Sequence, residues 1–271
     1  MELREAVVVV TGASSGIGWA TAWAFAREGS AVVVAARREE RLHQLVHEIE
    51  RRGGRAIAQK WDVDRREEIE ELRDRVQNVF GRCDVLINNA GIPGGGQFAD
   101  VSMDGVEAVV RTNLLGVLLT AKAFLPMMLE AGRGHMVNIA SLAGRFAVPG
   151  SAVYSATKHA VVAFSEAAYY ELAPRGILVT AVNPGLVATE GFPQREAVER
   201  GQRVMRPERI ARIIVRVVQK GIAPEISIPR SLAALQAVRV LTPPLYRFGL
   251  SQFSRRYGRI GPRHPSRAGP T

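Results

Sequence analysis

Thr11-Gly12-Ala13-Ser14-Ser15-Gly16-Ile17-Gly18 follows an apolar run, Ala6 to Val10, and opens a helical stretch that continues through Ala20 to Glu28. A turn of this kind lets backbone approach a ligand closely, because glycine has no Cβ to obstruct it. The N–H groups at the start of the next helix, together with the helix dipole, favour an anion. Ser14 and Ser15 add hydroxyl donors. Gly12, Gly16, Ile17 and Gly18 are therefore read, with the two serines, as a pyrophosphate-binding turn. Glycine also serves ordinary strand–helix turns. The position after the first strand of a strand–helix series is what strengthens the nucleotide reading.

Working outward, β-branched runs of strand length recur at Ala31 to Ala35, Val85 to Ile87, His135 to Ile139 and Ile177 to Val182, with a weaker candidate at Arg55 to Lys60. Charged, periodic stretches separate them: Glu39 to Arg52, Glu67 to Val79, Val106 to Leu129, Ala152 to Leu172 and Pro207 to Gln219. Nearly continuous apolar strands alternating with helices predict a parallel sheet covered on both faces, linked by right-handed crossovers. The fold class is α/β: a doubly wound Rossmann-type sheet of about seven strands. Residues 1–222 form the catalytic unit. Residues 223–257 carry a final strand, Glu225 to Ile228, and an amphipathic extension. Residues 258–271, rich in Gly, Pro and Arg, are expected to be disordered.

The chain has 271 residues and a net charge of +10. Residues 223–271 hold eight Arg against one acid, Glu225, a net of +7; the other 222 residues net only +3. The body is therefore nearly balanced, which argues against a nucleic-acid-binding fold. No apolar run approaches the roughly 20 residues that span a bilayer. The N-terminus shows no signal-peptide pattern, and a single Cys, Cys83, excludes a disulfide framework or a cysteine zinc site. A reduced, cytoplasmic protein without a metal is expected.

Tyr154 and Lys158 lie four apart in a predicted helix, on one face. A phenol with a reference pKa near 10 is a poor base at neutral pH. A neighbouring ammonium lowers that value, which makes the pair a plausible general acid/base for a carbonyl or alcohol oxygen. The T-G-x-x-x-G-x-G spacing and the Y-x-x-x-K pair, from about residue 6 to 222, resemble the single-domain branch of the short-chain dehydrogenase/reductase family.

The resemblance implies roles for further residues. Ser141 would hydrogen-bond the substrate oxygen, and Asn113 would help hold a water linked to Lys158. Lys158 would also bind the nicotinamide ribose. Ala36 stands where NAD-type members carry Asp, and Arg37 and Arg38 follow. A guanidinium binds a 2′-phosphate that a carboxylate would repel, so NADP(H) is the expected cofactor, with Arg37 the main contact and Arg38 a helper. A solvated helix start is the competing reading of these arginines. Asp62 and Val63 match the adenine contact, and Asp62 is equally readable as a helix N-cap. Asn89, Ala90 and Gly91, after Asn88, line the cofactor or are simply turn residues. Pro184 and Gly185, after Asn183, would touch the nicotinamide face; Val187 would contact the carboxamide through its backbone, and Thr189 would reach the carboxamide or a phosphate.

Glu190 to Arg206, with Phe192 and Met205, is expected to cover the substrate site, and Phe146, Val148 and Pro149 to add apolar walls for a lipophilic carbonyl or alcohol substrate. Pro93-Gly94-Gly95-Gly96 reads as a mobile loop near the cleft. Leu232, Leu235, Val238 and Leu241 form one helical stripe before Pro243-Pro244. Tyr246, Leu250, Phe253 and Tyr257 form a second, beside Arg247, Arg255 and Arg256. This extension is similar to those of hydroxysteroid dehydrogenase relatives. It either packs on the domain or a dimer partner, or touches a membrane surface. Stacking on bases is the remaining option, and no nucleic-acid motif accompanies it. A homodimer or homotetramer is expected, paired through the long helices. The competing functions are a catalytically silent NADP(H)-binding sensor or scaffold, and an enoyl reductase or epimerase on the same fold.

Overall fold

Five consecutive buried residues, Val7–Thr11, form the interior strand β1. In a computed structural model, which describes residues 1–190, 204–229, 236 and 239–249, six further strands join it. They are β2 (Ala31–Ala36), β3 (Arg55–Lys60), β4 (Val85–Asn88), β5 (Gly134–Ile139), β6 (Ile177–Pro184) and β7 (Glu225–Ile228). The sheet order is β3-β2-β1-β4-β5-β6-β7 and every neighbouring pair is parallel.

Strand side chains alternate between faces, so a continuous apolar run must be covered twice. Val8, Val10, Val32 and Val34 enter one core with Phe25, Leu42, Leu45, Ile214 and Val218. Val7, Val9, Val33 and Leu86 enter the other with Trp61, Leu72, Phe124 and Met128. Helices α1 (Gly16–Arg27), α2 (Glu39–Glu50) and α7 (Pro207–Lys220) supply the first layer. Helices α3 (Arg66–Phe80), α5 (Gly116–Ala131) and α6 (Ala152–Leu172) supply the second, with α4 (Met103–Val110) leading into α5. In α7 the buried Ile210, Ile214, Val217 and Val218 recur at helical spacing, while Arg212 and Arg216 face outward. Each such buried side chain contributes on the order of 1.5–3 kcal/mol.

The predicted helix Val106 to Leu129 is longer than expected and is interrupted. Residues Arg111–Leu115 form a π turn between α4 and α5, so one helical path runs from Met103 to Ala131. Those 29 residues are long and apolar enough to cross a membrane by length and composition. This corrects the expectation that no stretch approaches that length. Part of that apolar surface faces the protein, with Phe124 and Met128 fully buried in the second core, while Met103, Val110 and Leu115 are exposed. Ser102 caps the start by accepting from Gly105 N at 3.1 Å.

β7 closes the sheet edge beside β6. Farther on, 239–241 and 243–249 are helical. The helical path breaks at Thr242, before Pro243 and Pro244, which open the second piece, where a missing N–H costs nothing. Arg239 donates to Arg145 O and, at 3.2 Å, to His159 Nε2, and Tyr246 packs 6.4 Å from Phe146. Val240 (74% exposed), Leu241 (77%), Leu245 and Phe248 face outward. Phe192, Leu232, Leu235, Val238, Leu250, Phe253, Arg255, Arg256, Tyr257 and residues 258–271 lie outside the described residues.

Candidate active site

After β1 the chain crosses to β2 on one side, whereas β4 lies on the other. Such a switch point leaves a crevice at the carboxyl ends of the strands. A cleft of about 1450 Å³ occupies it.

The turn Thr11 to Gly18 forms the floor. Thr11 Oγ1 donates to Ile87 O (3.2 Å) and accepts from Asn89 N and Ala90 N (3.0 and 3.1 Å). Asn89 Nδ2 donates back to Thr11 O and Gly12 O. This clasp ties β1 to β4 under the cleft. It is so close that a Cβ on Gly18 would stand 2.4 Å from Gly12 O and 2.5 Å from Asn89 Nδ2. Gly12, Ser14, Ser15, Gly16 and Ile17 line the cleft above it, while Gly18 supports from beneath. α1 begins at Gly16 with Ser15 at its N-cap position; the Ser15 side chain makes no capping bond and is left for other partners. Backbone brought close by glycine, a helix start and two hydroxyls fit a dinucleotide pyrophosphate.

At the cleft mouth beside β2, Ala36 closes the strand without a carboxylate. Arg38 donates from Nε to Ser14 Oγ (3.2 Å), from Nη2 to Ser15 Oγ (2.8 Å) and from Nη1 to Glu190 Oε1 (2.9 Å). Arg37 lines the same mouth with its side chain exposed. Asp62 and Val63 line the opposite wall. Asp62 is not the N-cap of α3, which is Arg65. The Asp62 carboxylate instead turns back to accept from Asp64 N at 3.1 Å, and Asp64 in turn accepts from Thr112 Oγ1 at 2.9 Å.

Toward the other end, Asn89, Ala90 and Gly91 continue the lining. Asn113, fully buried in the π turn, exchanges two 2.8 Å bonds with the backbone of Ile92. Its side chain stands 3.2 Å from where a Gly91 Cβ would be. Asn113 thus lies one layer behind the cleft and braces the segment that lines it.

Ser141, two residues after β5, caps the short turn Leu142–Gly144, accepting from Ala143 N at 3.1 Å. The capping reading and the active-site reading therefore coexist, for Ser141 also hydrogen-bonds Tyr154. This juxtaposition needs Gly144: a Cβ there would stand 2.6 Å from Lys158 O, so glycine lets the turn rest on α6. Tyr154 and Lys158 lie in the first two turns of α6, facing the cleft. Lys158 Nζ donates to Ile139 O at 2.9 Å and sits 5.7 Å from the Tyr154 ring centroid. Burial brings Lys158 down to about 8. Burial also pushes the Tyr154 phenol up, and the bond with Ser141 pulls it partly back. The expected lowering by Lys158 does not prevail here, because desolvation of the phenol is the largest effect on it and Lys158 Nζ bonds the Ile139 carbonyl. A neutral phenol results, suited to giving a proton.

Pro184, which ends β6, and Gly185, Val187 and Thr189 after it line the cleft. Met205 pairs with this strand, donating to Leu186 O at 2.8 Å and accepting from Ala188 N at 3.0 Å. The Thr189 methyl would stand 2.9 Å from a Cβ on Gly16, which closes the passage above the turn. Leu142, Val148, Leu186 and Met205 supply apolar wall, whereas Phe146 packs on Tyr246 instead. Below, Glu225 accepts from Asn183 Nδ2 (2.5 Å) and Arg145 Nε (2.6 Å), fixing β7 to the segment after Ser141. Thr11, Gly144, Glu190 and Glu225 were not singled out from sequence. Only Thr11, which begins the quoted turn, had a local signal.

A family model described as short chain dehydrogenase matches residues 6–199. An uncharacterized oxidoreductase of Staphylococcus aureus strain MRSA252 is 38% identical over 187 residues, 69% of this chain and 80% of that protein. The ketoacyl reductase HetN of Nostoc sp. strain PCC 7120 is 35% identical over 219 residues, 80% of this chain and 76% of that one. Among solved structures, a short-chain dehydrogenase/reductase of Burkholderia phymatum in complex with NAD superposes with a TM-score of 0.82, at 26% identity, over 90% of this chain and 96% of that one. A single-site variant of the actinorhodin polyketide ketoreductase with NADPH superposes at 0.78, at 37% identity, over 83% of this chain and 95% of its own. Fold and cleft define a nicotinamide-dependent oxidoreductase. The chain belongs to the short-chain dehydrogenase family.

Proposed function

We propose that the chain is an NADP(H)-dependent carbonyl reductase, acting on a ketone or aldehyde, or in reverse on the alcohol. The observation that carries this reading is the meeting of Ser141, Tyr154 and Lys158 at one end of the cleft, with an arginine fork at the other. A bound nicotinamide supplies the hydride. Ser141 donates to the substrate oxygen and holds it as charge develops. Tyr154, kept neutral by burial, gives its proton to that oxygen. Lys158 stabilises the phenolate left behind and holds the nicotinamide ribose. Asn113, its side chain committed to Ile92, serves the proton supply to Lys158 by helping to hold a water.

For the cofactor, Gly12, Ser14, Ser15, Gly16 and Ile17 receive the pyrophosphate on the start of α1, with Gly18 beneath. Arg38, with Arg37 beside it, takes the 2′-phosphate, and Ala36 leaves room. Asp62 and Val63 take the adenine. Asn89, Ala90 and Gly91 flank the middle; Pro184, Gly185, Val187 and Thr189 hold the nicotinamide. The apolar walls support a lipophilic carbonyl. Two relatives described as ketoreductases put acyl ketones first in a substrate panel.

An NADPH-consumption panel of acyl ketones, steroids, quinones and aldehydes tests the reading, followed by kcat/KM for NADPH and NADH on any substrate found. Turnover with a preference for NADPH is expected. A preference for NADH overturns the cofactor assignment. Tight NADPH binding without turnover of any carbonyl would favour the sensor.

The protein is assigned to the cytoplasm as a homo-oligomer paired through α4–α5 and α6, where Leu115 and Tyr170 stand exposed. For the extension, the contacts of Arg239 and Tyr246 support packing on the body. The outward Val240, Leu241, Leu245 and Phe248 beside basic residues support peripheral contact with an anionic bilayer. Flotation of the full chain and residues 1–229 with anionic liposomes at low salt separates the two. Recovery of the full chain alone with the lipid supports the membrane contact, and equal recovery in the soluble fraction rejects it.

A further inference from the structure

Arg38 has three partners of two kinds. Two are neutral hydroxyls, Ser14 Oγ and Ser15 Oγ, which fix the plane of the guanidinium at the cleft mouth. The third is an anion: Glu190 Oε1 lies 2.9 Å from Nη1. Glu190 comes from the opposite wall, directly after Thr189, whose methyl closes on Gly16. The hydrogen bond and charge of Arg38 hold the Glu190 carboxyl below its ordinary range, and Arg41 adds to the effect, so it is ionised at neutral pH. Nη1 is thus the outward arm of a fork already anchored on its other two nitrogens, and a carboxylate sits on it.

Carboxylate and phosphate use the same guanidinium geometry. An anion arriving at Arg38 must either displace Glu190 or share the arginine with it against like-charge repulsion. We propose that Glu190 is an internal competitor for the 2′-phosphate at Arg38, and so a specificity-determining residue that moderates the preference for phosphorylated over unphosphorylated cofactor. This rests on the NADP(H) reading above. A cofactor without the phosphate leaves the Arg38–Glu190 pair intact and loses nothing. Both side chains are about half exposed (46% and 58%), so solvent screens the pair and its effect is a moderate one.

The test is calorimetric titration of the full-length protein with adenosine 2′,5′-bisphosphate and with adenosine 5′-monophosphate, at fixed ionic strength. Wild type, Glu190→Gln, Arg38→Ala and the double variant are compared. Glu190→Gln is expected to tighten the bisphosphate by about two- to five-fold and leave the monophosphate unchanged. In the Arg38→Ala background the same substitution is expected to do nothing, since the pair no longer exists. If the bisphosphate binds Glu190→Gln no tighter than wild type, or if the gain persists without Arg38, the competition is overturned while the cofactor reading stands. If wild type binds the two nucleotides equally and Arg38→Ala changes neither, the NADP(H) reading fails and the competition with it.

Discussion

Lys158 Nζ is anchored 2.9 Å from the carbonyl oxygen of Ile139, the last residue of β5, while its own helix carries Tyr154 one turn earlier. The bond ties α6 to the sheet edge and holds a largely buried cation at the wall of the cleft. Burial is the cause of its depressed pKa, about 8 against the ordinary 10.5. The unfolded chain keeps that proton up to the ordinary value. Between the two pH values the unfolded state binds more protons than the folded one, so stability contributed by this group rises with pH. The full window corresponds to on the order of 3 kcal/mol. In urea unfolding of wild type and Lys158→Met, the difference should move in favour of wild type between pH 7 and pH 10. An unchanged difference would remove the buried-cation account.

The turn that opens the sequence tolerates no added atom at its third glycine. Gly18→Ala would push a methyl group against Gly12 O and Asn89 Nδ2, at 2.4 and 2.5 Å. Overpacking of this kind costs about 1–3 kcal/mol. A lowered unfolding midpoint together with weaker NADPH binding is expected. Alanine accepted with neither change would show that the clasp between β1 and β4 is looser than described.

Ser141 has two partners, Ala143 N and the Tyr154 hydroxyl. Ser141→Ala should lower kcat about 100-fold, the scale for losing one preorganised donor, while the NADPH dissociation constant stays within two-fold. A KM effect with kcat intact would make Ser141 a binding residue only.

Much of this was legible in the sequence because it is local. β3, β7 and α6 fall where β-branching and helical periodicity put them, and Tyr154 and Lys158 follow from a spacing of four on one helix. The π turn at Arg111–Leu115 was not legible, since an inserted i→i+5 turn leaves an apolar helical pattern nearly unbroken. Arg37 was expected as the main contact with Arg38 a helper, yet it is Arg38 that bonds Ser14 and Ser15, because which of two adjacent side chains turns toward the serines depends on the entry into α2. The N-cap alternative for Asp62 stayed open because two acidic residues, Asp62 and Asp64, precede α3 and only the backbone decides which residue caps it. Glu190 and Glu225 meet partners far away in the chain, Arg38 and Arg145, and no periodicity reports such a pair.

Arg239 holds the described part of the C-terminal extension through Arg145 O, His159 and the Tyr246 ring, 5.9 Å from the guanidinium carbon. Arg239→Ala should speed chymotryptic cleavage within 239–249 several-fold without lowering the melting temperature of the body. Unchanged cleavage would show that the segment is held by other contacts.

The central claim is that Tyr154 gives the proton in carbonyl reduction at a site that binds NADPH without its help. The most direct measurement pairs two readings on wild type and Tyr154→Phe: NADPH affinity by fluorescence titration, and single-turnover NADPH oxidation with the best carbonyl from the panel. The account predicts affinity within about three-fold of wild type and a rate lower by about 100-fold or more. A variant that binds NADPH as wild type does and oxidises it at a near-normal rate would contradict it.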